Sequence, residues 1–141
     1  MPLPRPEPGL VIRYDYLWLS DTKSARLSGK ERPACLVATL DDEAAPGLVL
    51  ILPITQSRPS GGTVGVEIPR QVCERLGLDT ARSWIVISEA NVDFWPNAGL
   101  APVPGRRGVY AYGFLPPALF DKVKNGFVRL FETRRAKLVR R

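Results

Sequence analysis

Histidine is absent from this chain of 141 residues. That absence excludes every site that uses imidazole as acid, base or metal ligand, among them Ser-His-Asp and Cys-His triads and most catalytic zinc centres. Cysteine is scarce. Cys35 and Cys73 lie far apart and form no Cys-x-x-Cys pattern, which leaves a zinc ribbon or a thioredoxin-like site without ligands and predicts two half-buried free thiols. Long apolar runs are missing as well. The longest, residues 47–54, falls far short of the roughly 20 residues that span a bilayer, so a soluble, cytoplasmic protein with no membrane contact is expected. Residues 1–8 carry four prolines and no apolar stretch, which excludes a signal peptide and predicts an extended Pro-rich leader.

What is present points to one globular domain over 1–141. The chain is 45% apolar and 24% charged, which argues against disorder or a fibrous repeat. A chain of this length buries roughly 70% of its unfolded surface, enough for a core without disulfide or metal. The net charge of +6 is unevenly placed. Residues 1–115 hold twelve Lys/Arg and twelve Asp/Glu, whereas residues 116–141 hold eight and two. The basic excess therefore predicts a C-terminal electrostatic arm or a solvated helix end, and the rest of the chain is neutral.

From Gly9, the residues Leu10, Ile12, Tyr14, Tyr16 and Trp18 alternate with Val11, Arg13, Asp15 and Leu17, the period of a strand with an aromatic face. Residues 19–31 are too polar to bury and predict a mobile loop. Residues 34–40 and 48–55, short and rich in Val, Ile and Leu, read as neighbouring strands covered on both faces, with a turn between them. A loop at 56–63 precedes a short strand at 64–68. Pro69 as first helical residue and Gly77 just past the end bound a two-turn helix. Alternation returns over 83–91, and a Gly- and Pro-rich connector over 96–108 leads to a last strand at 109–115. Leu119, Phe120, Val123, Phe127, Leu130 and Phe131 then recur at helical spacing, with Asn125 and Gly126 weakening the middle. The order predicts an α+β chain: a small, strongly bent antiparallel barrel over 9–115, followed by a C-terminal amphipathic helix and basic tail over 116–141.

Certain words in this order match a known family. Pro8-Gly9 opens the aromatic strand, and Gly29-Lys30-Glu31-Arg32-Pro33 ends the polar loop. Val49-Leu50-Ile51-Leu52-Pro53-Ile54-Thr55 follows as the third strand, then Val66-Glu67-Ile68-Pro69, Arg82-Ser83-Trp84-Ile85-Val86-Ile87 and the terminal helix. Over residues 8–131 the chain resembles the MazF/PemK-type toxins of bacterial type II toxin-antitoxin systems. The resemblance implies an SH3-like barrel, a homodimer, a cognate antitoxin as partner, and cleavage of single-stranded RNA with neither cofactor nor metal. It also implies that Arg32 of the Arg-Pro pair is catalytic and that Thr55 of Pro-Ile-Thr is its partner. Two positions depart from the family pattern: Val11 where an acidic residue is common, and Asn91-Val92-Asp93 where a basic one is common.

Cleavage by the RNA's own 2′-hydroxyl needs a proton acceptor, a stabiliser for the charged phosphorane and a proton donor for the leaving 5′ oxygen. A guanidinium suits the second task, because its planar fork stays charged and meets two phosphate oxygens. A hydroxyl at Thr55 would donate to a non-bridging oxygen. Guanidinium is a poor base near neutrality, which leaves Lys30 and Glu31 as adjacent candidates for proton transfer. Ser28, Lys30, Glu31, Gln56 and Ser57 are candidate substrate contacts, with Arg58 and Ser24 nearby. Trp18, Phe94 and Trp95 are either core residues or platforms for stacked bases. A non-catalytic module of the same fold, binding RNA or a protein, is the competing reading. A gyrase-poisoning relative of this fold ranks last, because the C-terminal Trp-Gly-Ile on which it relies is replaced here by Leu138-Val139-Arg140-Arg141.

Overall fold

Period-two alternation does build the first strand, β1, over Leu10–Tyr16. Leu10, Ile12, Tyr14 and Tyr16 pack on one face with Ala34, Leu36, Val49 and Ile51. Val11 enters the opposite cluster with Cys35, Leu52 and Ile54. The computed structural model describes residues 3–22, 30–40, 47–79, 81–97 and 99–141. Within them follow α1 (Leu19–Thr22), β2 (Lys30–Leu40), β3 (Leu48–Thr55), β4 (Gly65–Ile68), α2 (Arg70–Leu76), β5 (Ser83–Val86), β6 (Glu89–Phe94), β7 (Ala111–Phe114), α3 (Pro117–Glu132) and β8 (Lys137–Arg140).

The main path of the sheet runs β4-β5-β3-β2-β1-β7, all antiparallel. Strand β3 uses one edge twice: Leu48 to Ile51 pair with β6, and Ile54 and Thr55 pair with β5. The register of β2 on β3 shifts between Leu36 and Ala38, and that of β1 on β7 between Val11 and Ile12. Irregularities of this kind bend a strand and raise its twist. The strands β1 to β3 are covered on both faces, which is why β2 and β3 read as continuous apolar runs. Val123, Phe127 and Leu130 of α3 cover one face, and Trp18, Trp95 and Leu100 lie on the other. Gly126 belongs to that contact, since a β-carbon there would come within 2.7 Å of Ile87 Cδ1.

The fold is α+β and dominated by an antiparallel sheet of eight strands among the described residues. Among the described residues the pairing does not close, since β4 and β7 end the path, so the expected barrel is not shown by it. A helix stands beside the β7 end: Leu76 of α2 reaches the position where Gly113 has no side chain, and Arg75 Nη2 donates to the Phe114 carbonyl at 3.4 Å.

Other expectations are corrected in detail. The helix expected at the start of 116–141 is α3, and the basic tail after it contains a strand, since β8 pairs parallel with β6 and places Val139 opposite Asn91. Four residues with one buried side chain look like a charged tail in sequence. The single strand expected over 83–91 is two, parted where the Ser88 hydroxyl accepts from Val64 N at 3.0 Å and its carbonyl accepts from Lys137 N at 3.0 Å. The loop expected at 19–31 begins as α1, β2 already starts at Lys30, and residues 23–29 lie outside the described ones. Cys35 and Cys73 are buried rather than half-buried, and burial pushes the Cys35 thiol up to about 12. Among the described residues no helix is long and apolar enough to cross a membrane.

Candidate functional site

The register of β1, β2 and β3 decides what meets at their ends. Lys30, Glu31, Arg32 and Pro33 stand opposite Tyr16, Asp15, Tyr14 and Arg13 of β1. On the other side Ala34 faces Pro53. Carried two residues further, that register sets Arg32 across from Thr55, and strand periodicity puts both on one face. Arg-Pro at the start of one strand and Pro-Ile-Thr at the end of its neighbour thus become one place.

A cleft of about 510 Å³ opens there, and Lys30, Glu31, Arg32, Thr55, Gln56 and Ser57 all line it. Every described residue of the predicted site is therefore brought together; Ser28, like Ser24, lies outside the described residues. A second cleft of about 430 Å³ adjoins the first, lined by Trp18, Ser20, Arg58, Pro59, Ser60 and Thr63. Arg32, Thr55 and Ser57 border both. They form the waist of a groove whose walls carry Arg13, Lys30, Arg32 and Arg58 against Glu31 and Asp79.

Arg32 is half-buried. Its guanidinium sits over the Trp18 ring, 5.1 Å from the centroid, and Trp18 in turn packs edge-on against Tyr16. Its Nε is buried with no hydrogen-bond partner among the described residues. Burial lowers its pKa from the ordinary guanidinium value; Asp21 of α1 and Tyr16 oppose the shift, and Arg13 adds to it. The result is a desolvated cation held by an aromatic face, with donors left over for an anion. The Thr55 hydroxyl oxygen accepts from Ser57 N at 3.1 Å, which leaves its own proton to donate.

Of the other aromatic candidates, Phe94 is exposed and Trp95 donates through Nε1 to the Pro4 carbonyl at 3.1 Å. Neither lines either cleft. Of the two departures from the family pattern, Asn91 is a buried structural residue: its amide oxygen accepts from Leu17 N at 2.9 Å and its Nδ2 donates to the Leu17 carbonyl at 2.8 Å. Sequence reasoning missed Arg13 and Tyr112, which line the larger cleft and touch each other. The one signal for Arg13 is a basic residue within a strand that otherwise carries aromatic and apolar residues and the single acid Asp15. Comparison with models of protein families gives no match to this chain, and a search of curated proteins finds none similar.

Proposed function

We propose that the groove binds single-stranded RNA and cleaves it by attack of a 2′-hydroxyl on the adjacent phosphodiester. The P–O5′ bond breaks, leaving a 2′,3′-cyclic phosphate and a 5′-hydroxyl. The observation that carries this reading is the meeting of Arg32 and Thr55 at the waist between two clefts, where a chain can run through and be cut internally. Arg32 offers a fixed positive fork to the phosphorane and Thr55 a hydroxyl proton to a non-bridging oxygen. A carboxylate takes up a proton and an ammonium gives one. Glu31 therefore suits the 2′-hydroxyl, and Lys30 the departing 5′ oxygen. Gln56 and Ser57 contact the strand on leaving the waist, and Trp18 offers a ring face beside Arg32.

The reading takes the curved sheet as SH3-like, and the protein as a cytoplasmic, MazF/PemK-like homodimer restrained by an antitoxin. It needs no metal for its chemistry. Purified protein should cleave single-stranded RNA in EDTA, yielding cyclic phosphate ends, and a 2′-deoxy substitution at the scissile nucleotide should abolish the cut. Binding without turnover across varied RNAs would overturn catalysis in favour of a non-catalytic RNA-binding module.

A further inference from the structure

Arg32 is one of two half-buried arginines in the larger cleft. The other, Arg13, enters from β1 opposite Pro33, one position out of register with Arg32; alternation starts the two side chains on opposite faces of the sheet, and the cleft at the strand ends is lined by both. Arg13 Nη1 donates to the Tyr112 hydroxyl at 3.3 Å. Its Nε, like that of Arg32, is buried with no hydrogen-bond partner among the described residues. Neither guanidinium takes part in an ion pair among the described residues.

Tyr112 positions Arg13 across the β1–β7 pairing without cancelling its charge. The two guanidiniums are close enough for Arg13 to disfavour the charged form of Arg32. Like charges held together in a partly dehydrated site are unfavourable until anions join them. Each guanidinium offers a planar fork that suits one phosphate, so two forks match two phosphates of a strand.

We propose that Arg13, held by Tyr112, forms a second phosphate subsite, so that the cleft grips two successive phosphodiesters of one strand. The phosphodiester at Arg32 is the one broken, and its neighbour rests on Arg13. The subsite rests on the reading of the cleft as a phosphodiester site. It deepens that reading by setting the smallest well-bound substrate at three nucleotides.

Non-cleavable probes test it without depending on catalysis. A 2′-deoxy dinucleotide with one phosphodiester and a trinucleotide with two, both lacking terminal phosphates, are titrated calorimetrically into the wild-type protein and into Arg13→Gln. The wild type should bind the trinucleotide about tenfold more tightly than the dinucleotide, the scale of one hydrogen-bonded charge contact. Arg13→Gln should erase that preference, leave dinucleotide binding in place, and reduce the slope of log affinity on log salt for the trinucleotide by about 0.7.

An uncharged methylphosphonate at either linkage of the trinucleotide should reproduce the loss on unaltered protein, which no folding defect can imitate. The subsite is overturned if the methylphosphonate probe binds as tightly as its parent. Arg13→Gln acting equally on both probes, or no probe binding the wild type, has the same meaning. The expected preference, seen while the ribose counterparts stay uncut, supports the subsite and counts against catalysis alone.

Discussion

Among the described residues three arginines rest on aromatic rings, and two of them, Arg141 and Arg32, have opposite surroundings. Arg141 lies over Tyr14, 5.5 Å from the ring centroid, and its Nη1 donates to the Tyr14 hydroxyl at 3.1 Å, to Asn91 Oδ1 at 3.0 Å and to the Asp15 carbonyl. The Asp15 carboxylate stands 3.8 Å from Nη2, and Tyr14 passes its own proton toward Asp93 Oδ2 at 2.7 Å. Arg32 lies over Trp18 with its Nε unpaired. A saturated polar cluster is what a fold needs in order to bury charge. A half-buried cation with donors to spare weakens the fold and gains only when a ligand arrives, so Arg141 suits a structural part and Arg32 the part proposed for it in the groove.

The sharpest way to break this contrast is Arg32→Ala. Cleavage should fall about 10²- to 10³-fold, the usual cost of removing a preorganised donor from a transition state. The urea midpoint should stay near that of the wild type, because Nε has no described hydrogen-bond partner to lose. A large loss of stability with activity per folded molecule unchanged would reverse the assignment.

The opposite response belongs to Asn91→Ala. It strips both hydrogen bonds from the Leu17 backbone and one from Arg141. Buried groups left unpaired cost ~1–3 kcal/mol each, so a loss of about 3 kcal/mol in urea unfolding is expected. RNA cleavage by the folded fraction should be unchanged. If it falls together with stability, the clasp and the groove are one unit.

How much of this contrast the residues disclose depends on separation along the chain. Arg32 and Thr55 are legible because each closes a short, distinctive word at a strand end, and one antiparallel register joins them. The pairing of Arg13 with Tyr112 spans 99 positions and that of Arg141 with Tyr14 spans 127, so periodicity within a window cannot reveal either. The strand at 137–140 is hidden for the same reason, since its partner lies beyond a helix. The two-turn helix, by contrast, stops at Gly77, where φ of 73° suits glycine as the punctuation implied.

Trp18→Ala should act more gently than either. The ring supports Arg32 from below, and a partly desolvated cation–π contact is worth ~0.5–2 kcal/mol, so cleavage should drop about three- to thirtyfold. Trp18→Phe, which keeps a ring face, should recover most of that loss. Equal losses in the two variants would mean that the indole contacts the RNA in a way a smaller ring cannot.

Glu89 ties the two regions together, and its effect is the smallest. Its Oε2 accepts from the Tyr16 hydroxyl at 3.0 Å and from Leu19 N at 2.9 Å, fixing the start of α1 beneath Trp18. Burial raises its pKa above the ordinary carboxylate value and Asp21 adds to the rise, while the bonds from Leu19 and Tyr16 only partly oppose it. Between the unfolded and the raised folded value the native state holds more protons than the unfolded chain. Stability therefore falls as pH rises through that window, and the contribution is lost above the folded pKa. Glu89→Gln keeps an acceptor oxygen and removes the titration. Its urea-unfolding stability, relative to wild type, should rise across the window and then level off, with cleavage at neutral pH nearly unchanged. Parallel stability curves for the two proteins would show that Glu89 is no more costly to ionise here than in water, and that α1 is held at Trp18 by packing alone.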